Sequence, residues 1–237
     1  MKPVLYLVIP CYNEEQVLSI TGRLFAEQLE KMIRGGKIKD ESRILFVDDG
    51  STDATWKIIC RWMSETKYCQ GMRLKKNSGQ QKALMTGLMA VKEKCDIAVT
   101  MDCDGQDDVE VMEQMVDAYL QGAHVVCGVR EDRKSDAGLK RFTAQWYYSL
   151  LKCIDKDTIA DHGDYRLVSR EALDCLVSIE TDDLYLRGMF SSMDLPRAVV
   201  YYKRKKRMAG KGHYTVRKML GLAWNGFSFA FRKISER

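Results

Sequence analysis

Short apolar runs alternate with longer stretches of helical periodicity through the first two thirds of the chain, and this alternation constrains the fold more than any other feature. Val4–Ile9, Arg43–Val47, Ile97–Met101 and His124–Val129 read as strands, with Gly71–Leu74 a weaker one. Helical patterns follow from about Glu14 to Met32, from a cap at Thr52 or Asp53 through Met63, from Gln80 to Val91, and from Val109 to Leu120. The spacing predicts βαβ units: an α/β fold with a mostly parallel central sheet and helices on both faces. No Gly/Ser/Pro-rich linker divides the sequence, so one domain with a C-terminal appendage is expected.

In sheets of this kind ligands gather beyond the carboxyl ends of the strands. Polar clusters stand at those places. Pro10-Cys11-Tyr12-Asn13-Glu14 follows the first run, Asp48-Asp49-Gly50-Ser51 the second, Asn77-Ser78-Gly79 the third, and Asp102-Cys103-Asp104-Gly105-Gln106 the fourth. In extended backbone, residues i and i+2 point the same way, so Asp102 and Asp104 can face one point. Converging carboxylates repel, and a divalent cation relieves the repulsion; an oxygen-rich set suits Mg²⁺ or Mn²⁺ completed by water and substrate phosphates. Gln106 and Asp107 add oxygen donors. The competing reading is a turn whose aspartates cap the next helix. Asp48-Asp49 invites the same two readings, a ligand contact to base or ribose or local loop hydrogen bonds. Asp53 is expected to be structural, and Asp48 or Asp49 to meet the ligand.

Two nucleotide-binding classes lack their signatures here, since no G-x-x-x-x-G-K-[ST] loop and no G-x-G-x-x-G occurs. The three histidines show no metal spacing. Eight scattered cysteines, none in C-x-x-C spacing, read as buried free thiols of a reducing compartment rather than a disulfide framework. The N-terminus enters a strand pattern at once, without the cleavage site of a signal peptide.

Charge is unevenly distributed. From Arg197 onward twelve Lys/Arg face one acid, Glu236, a net +11, so the rest of the chain carries −6 of the overall +5. A basic tail on an acidic body is suited to an anionic partner: nucleic acid, a phospholipid surface or a phosphorylated substrate. No apolar stretch reaches the roughly 18–20 residues that span a bilayer. The nearest, Met219–Phe231, is interrupted by Gly221, Asn225, Gly226 and Ser228. Between Val216 and Ile234, apolar residues fall at helical spacing with Arg217, Lys218, Arg232 and Lys233 around them, the pattern of an interfacial amphipathic helix; packing on the sheet is the alternative.

Taken in order, Val8–Glu15, Val47–Asp53, Asn77–Gln80 and Met101–Asp107 resemble family 2 glycosyltransferases. Val126–Arg130, His162–Arg170 and Arg207–Gly210 with Tyr214 and Arg217-Lys218 are similar to its polyprenyl-phosphate branch, the dolichol-phosphate mannose synthases and bactoprenol glucosyltransferases. The resemblance implies a GT-A type catalytic domain over 1–200, followed by a basic loop and membrane-interfacial helix over 201–237. It implies that Pro10, Tyr12, Glu14, Asp48, Asp49 and Asp102 hold the nucleotide, and that Asp102, Asp104 and Gln106 organise a metal on the diphosphate. Arg130 and Arg141, with Ser149, would bind the acceptor phosphate. Asp164 would sit at the reaction centre, and Arg207 in a loop that closes over the donor. Two departures stand out: Gly212-His213 replaces the family's usual Ser-Lys, which is expected to make that phosphate contact weaker and pH-sensitive, and many members carry transmembrane helices after the catalytic domain, so a sequence ending at Arg237 is expected to be a trimmed form, a natural soluble form being the alternative.

The implied activity is inverting, metal-dependent transfer from a nucleotide sugar to a polyprenyl phosphate at the cytoplasmic membrane face. UDP-glucose, UDP-N-acetylglucosamine and GDP-mannose are all compatible donors, with UDP favoured. A lipid phosphate is already anionic near neutral pH, so a strong general base is less needed than for a hydroxyl. Transfer to a glycan or protein hydroxyl is the runner-up. Nucleic-acid binding by the basic tail would leave the strand-end clusters unexplained, and no nucleic-acid partner is expected. Oligomeric state has no signature in the sequence.

Overall fold

A computed structural model describes residues 1–131, 162–178 and 184–209. Arg141, Ser149, His213 and the expected C-terminal amphipathic helix lie outside the described residues. Seven strands form one sheet: β1 (Leu5–Cys11), β2 (Arg43–Asp48), β3 (Cys69–Arg73), β4 (Ile97–Thr100), β5 (Val125–Arg130), β6 (His162–Ser169) and β7 (Arg197–Tyr202), in the spatial order β3-β2-β1-β4-β6-β5-β7. The helices described are α1 (Glu15–Arg34), α2 (Thr55–Glu65), α3 (Gln80–Val91), α4 (Val111–Leu120), α5 (Arg170–Ser178) and α6 (Leu186–Ser192).

The sheet is mostly parallel, as expected. β1 runs parallel to β2 and β4, β2 to β3, and β5 to β7, while β6 is antiparallel to both of its neighbours. Period-two alternation in β1 explains the two-layer cover. Leu5, Leu7 and Ile9 meet Val17, Leu18, Phe25 and Leu29 of α1 and Met112 and Met115 of α4. Tyr6 and Val8 face the other way, in the cluster with Ala83, Leu84 and Leu88 of α3, Leu173 of α5 and Met189 and Phe190 of α6. A sheet buried on both faces can use continuous apolar strands, and β1 and β2 are buried almost throughout.

Two boundaries differ from the sequence reading. β4 ends at Thr100, before Met101, and His124 lies just outside β5, its Nδ1 2.9 Å from Ser169 Oγ. β7 runs through Tyr202, past the expected division at residue 200, so the sheet ends inside the basic segment. Among the described residues no helix is long and apolar enough to cross a membrane. Free thiols at Cys11, Cys69, Cys95, Cys103 and Cys127 are buried, in keeping with the expected reading, whereas Cys60 is exposed.

Candidate active site

The loops leaving β1, β2 and β4 meet at one edge of the sheet, and their polar residues bond first to one another. Asn13, the only non-glycine residue with positive φ among those described, accepts the Thr52 amide through Oδ1 at 2.9 Å, while its own N–H donates to Ser51 Oγ. Glu14 N–H donates to Thr55 Oγ1, Glu15 N–H to Asp53 Oδ2, and Ala54 N–H to Glu15 Oε2. Asp53 also accepts the Thr55 amide at the start of α2, so it is structural as expected. Both loops are thereby locked into one rim.

Asp48 and Asp49 anchor this rim from inside. Asp48 is fully buried; Oδ1 accepts the Ser51 amide and Oδ2 lies 3.0 Å from Arg73 Nε. Asp49 accepts the Ser78 and Gly79 amides at 2.7 and 2.8 Å, which ties the second cluster to the third. Between them Gly50 has φ +69°, and a Cβ there would lie 2.6 Å from the Lys76 carbonyl carbon, so only glycine fits this close approach. Both carboxylates of the pair are therefore engaged by protein donors, a use the sequence reading divided between ligand and loop. Pro10, Tyr12 and Glu14 stand partly exposed on the same rim.

Four acidic side chains gather beyond β4 and β6. Because β4 ends at Thr100, Asp102 and Asp104 do not lie on an extended strand as the i, i+2 reading supposed. A turn carries them, with Gly105 at φ +68° and Asp104 Oδ1 accepting the Gln106 amide at 3.0 Å. Asp102 Oδ1 therefore faces α3, where it accepts from Gln80 Nε2 at 2.8 Å, and Asp104 Oδ2 faces the basic segment after β7. Asp107 accepts a 2.5 Å hydrogen bond from Tyr202 Oη, with Arg130 Nη2 3.7 Å away. Asp164, on β6, completes the group; its backbone carbonyl accepts from Thr100 Oγ1.

This crowding sets the electrostatics. Burial, reinforced by Asp107, Asp164 and Asp104, pushes the Asp102 carboxyl up to about 7, against the pull of Arg130. Burial also raises Asp107, although Arg130, Tyr202 and Arg204 oppose it. Asp164 goes the other way: burial would raise it, but the charges of Arg187 and Arg166 hold it below the usual carboxylate range. In the folded chain Asp102 keeps a proton that the unfolded chain releases near pH 4. Unfolding then releases protons between about pH 4 and 7. Stability without divalent metal is accordingly expected to fall as pH rises through that window, on the order of 1.4 kcal/mol per unit. Urea midpoints in chelator at pH 5 and 8 check this, and Asp102→Asn, which keeps the Gln80 contact, should flatten the dependence.

Opposite the acids stands a basic wall. Arg207 Nη2 donates to both Glu14 oxygens at 2.7 and 2.5 Å, and Nη1 reaches Asp104 Oδ2 at 3.5 Å. Arg204 Nη2 lies 3.7 Å from the same Asp104 oxygen. The segment is hooked to the acidic turn by Lys205 N–H donating to Gln106 O, Gln106 Nε2 to Lys205 O and Met208 N–H to Asp104 O. Arg130 Nε donates to Tyr202 Oη at 3.3 Å. The structure thus brings together Glu14, Asp102, Asp104, Asp107, Asp164, Arg130 and Arg207. It adds Gln80, Gln81, Arg187, Tyr202 and Arg204, which sequence reasoning did not place in the site. Gln106 turns its amide N–H toward the basic segment, leaving Asp102 and Asp104 as the better-placed oxygen donors for a cation.

Among the described residues no three His, Cys, Asp or Glu side chains form a ready-made metal cage. Asp102 and Asp104 nevertheless fit a hard cation that takes one or two carboxylates plus substrate phosphates. Burial raises Asp102 most, and the neighbouring Asp107, Asp164 and Asp104 add to the rise; such a cation would neutralise that local negative charge.

The fold is of the GT-A type, and its carboxyl edge carries a buried acidic turn faced by arginines. The chain belongs to glycosyl transferase family 2, whose family model matches residues 6–177. It is 39% identical over 227 residues to the uncharacterized glycosyltransferase YkoT of Bacillus subtilis (strain 168), covering 96% of this chain and 67% of that protein. To the bactoprenol glucosyl transferase of Shigella phage SfX it is 33% identical, covering 94% and 70%. Those relatives bear out the resemblance to the polyprenyl-phosphate branch. Among solved structures, the mannosyltransferase PcManGT of Pyrobaculum calidifontis, in complex with GDP-Man and Mn²⁺, superposes with TM-score 0.64 at 18% identity, covering 98% of this chain and 65% of that one. Glucosyl-3-phosphoglycerate synthase of Mycobacterium tuberculosis, in complex with Mn²⁺, UDP and phosphoglyceric acid, gives 0.62 at 17%, covering 96% and 78%.

Proposed function

We propose that the chain transfers a sugar, with inversion, from a nucleotide diphosphate sugar to a polyprenyl phosphate. A single observation carries this reading: Asp104 of the acidic turn lies 3.5 Å from Arg207 and 3.7 Å from Arg204, and nearby Asp107 lies 3.7 Å from Arg130, a site with one half for a cation and another for phosphates. Names among the relatives (bactoprenol glucosyl transferases) and ligands among the solved neighbours (Mn²⁺ with UDP or GDP-Man) support it.

In this reading Pro10, Tyr12, Glu14, Asp48 and Asp49 form the nucleotide rim. Asp102 and Asp104, assisted by Gln106, would hold Mg²⁺ or Mn²⁺ through carboxylate oxygens; when bound, the cation stabilises the charge left on the departing diphosphate. Arg207 exchanges Glu14 and Asp104 for donor phosphate oxygens, closing its segment over the donor. Arg130, with Arg141 and Ser149, receives the acceptor phosphate. Asp164, anionic and buried, orients the sugar for attack by a lipid phosphate oxygen that is already charged. One displacement at the anomeric centre inverts it, with the lipid phosphate oxygen forming the new bond as the diphosphate leaves. The catalytic sheet runs through Tyr202, past the expected boundary at 200, and the segment after it serves closure and docking on the anionic cytoplasmic membrane surface, to which exposed Lys203, Lys205 and Lys206 would contribute. UDP is the favoured base, GDP the competitor.

The donor half is tested by thermal midpoint against UDP, GDP and their hexose conjugates, with and without Mn²⁺. A hundredfold excess over Kd stabilises by about 2.7 kcal/mol. A metal-dependent rise with one nucleotide is expected; no rise with any at millimolar concentration would defeat the reading.

A further inference from the structure

Asp164 reaches its position through a set of side chains to which no role has been given above. Its Oδ1 accepts from Arg187 Nε at 3.1 Å. Its Oδ2 accepts from Gln80 Nε2 at 3.1 Å and Gln81 Nε2 at 3.4 Å. Gln80 gives the same Nε2 group to Asp102 Oδ1 at 2.8 Å, so one amide bridges Asp164 and the acidic turn. Gln81 is bifunctional as well: its Oε1 accepts the Leu186 amide at 3.1 Å, the first residue of α6, and Arg187 is the next. A ring closes: Gln81 fixes the start of α6, α6 delivers Arg187, and Arg187 and Gln81 grip the two oxygens of one carboxylate.

We propose that Arg187, seated by Gln81, is a positioning residue for sugar transfer, fixing the Asp164 carboxylate relative to Asp102. This rests on the glycosyltransferase site described above and specifies how that site is ordered. Three observations carry it. The Arg187 side chain is only 19% exposed and Asp164 5%, so the pair is shielded from solvent screening. Both oxygens of Asp164 already accept from nitrogen donors, an arrangement for holding a carboxylate still rather than for accepting a proton from an acceptor hydroxyl. Finally, Gln80 and Gln81 open α3 after Gly79, whose φ of +92° sets the turn, and the Ser78 and Gly79 amides are pinned by Asp49. The nucleotide rim, the acidic turn and Asp164 are therefore connected through the first residues of one helix. Such a device favours an acceptor that needs no deprotonation, which is the property of a phosphate monoester.

Misplacing a reacting group by about 1 Å costs on the order of a hundredfold in rate. Arg187→Gln, Arg187→Lys and Gln81→Ala separate positioning from folding. Each is assayed for Mn²⁺-dependent binding of UDP and GDP by thermal shift, and for kcat and donor KM. Arg187→Gln is expected to bind nucleotide within about twofold of wild type while kcat falls about a hundredfold. Arg187→Lys should recover at least about tenfold of that loss, and Gln81→Ala should lose about tenfold. Arg187→Gln with kcat within threefold of wild type would overturn the proposal, as would nucleotide binding weakened by the same factor as turnover. If the wild-type chain binds neither nucleotide, the donor-site reading falls instead, and the positioning role with it.

Discussion

Asp104→Ala is expected to lower sugar transfer by about a thousandfold with the fold intact. Asp104 is buried and its carboxylate is held by polar groups: Oδ1 closes the turn on the Gln106 amide and Oδ2 faces Arg204 and Arg207. Removing it cuts the negative charge that would hold a cation beside Asp102. It also leaves Arg207 held by Glu14 and the Ala209 carbonyl. The structural cost is one turn hydrogen bond and two longer arginine contacts, about 1–2 kcal/mol, while on the proposed reading the chemical cost would be the charge stabilisation at the leaving diphosphate. The check is initial rate over a Mn²⁺ titration, beside circular dichroism and a urea midpoint. Saturating metal should not rescue the variant. A rate above a tenth of wild type would mean that Asp104 shapes the turn and little more.

The largest effect on stability is expected at Asp164. Arg166, on the same strand, is fully buried, packs over Phe190 at 5.1 Å, and its Nε lacks a hydrogen-bond partner; its counter-charge is Asp164. Asp164→Ala removes the acidic partner shared by the buried Arg166 and the largely buried Arg187. Breaking a buried pair from one side typically costs about 3–5 kcal/mol. Asp164→Asn keeps an acceptor for Arg187 and should cost less, which separates lost charge from lost shape. Urea denaturation at pH 7.5 (about) decides it: a loss below about 1 kcal/mol for the alanine variant would show that neither guanidinium depends on Asp164.

These expectations rest on parts of the molecule that were unequally legible. The rim of the site was readable because apolar runs such as Val4–Ile9 stop abruptly at polar clusters, and a parallel sheet aligns its carboxyl ends. Helix α3 spans Gln80–Val91 as its periodicity indicates. Strand β6 gave no such signal as a strand, since Asp164 and Arg166 occupy buried positions where a central strand ordinarily carries aliphatic residues; hydropathy cannot report a buried ion pair whose partner is distant in sequence. For the same reason Arg187 escaped notice. It sits on a seven-residue helix, twenty-three residues from Asp164, and only tertiary structure puts it there. The Asp102–Asp104 geometry was misjudged because β4 ends two residues before the motif, so a turn rather than a strand aims the two carboxylates. Gln80 could have been suspected from its place after the Asn77-Ser78-Gly79 cluster, but its partners could not.

The decisive measurement is transfer itself. The chain, in detergent micelles with undecaprenyl phosphate and Mn²⁺, is given UDP-glucose and GDP-mannose radiolabelled in the sugar, with a hydroxyl acceptor in parallel. Label should pass into the organic phase only with the phosphorylated lipid and metal present, from one donor, as a mild-acid-labile product of inverted anomeric configuration. Label that enters the hydroxyl acceptor and not the lipid, or a lipid product formed equally well by Asp104→Ala, would contradict the assignment of this site.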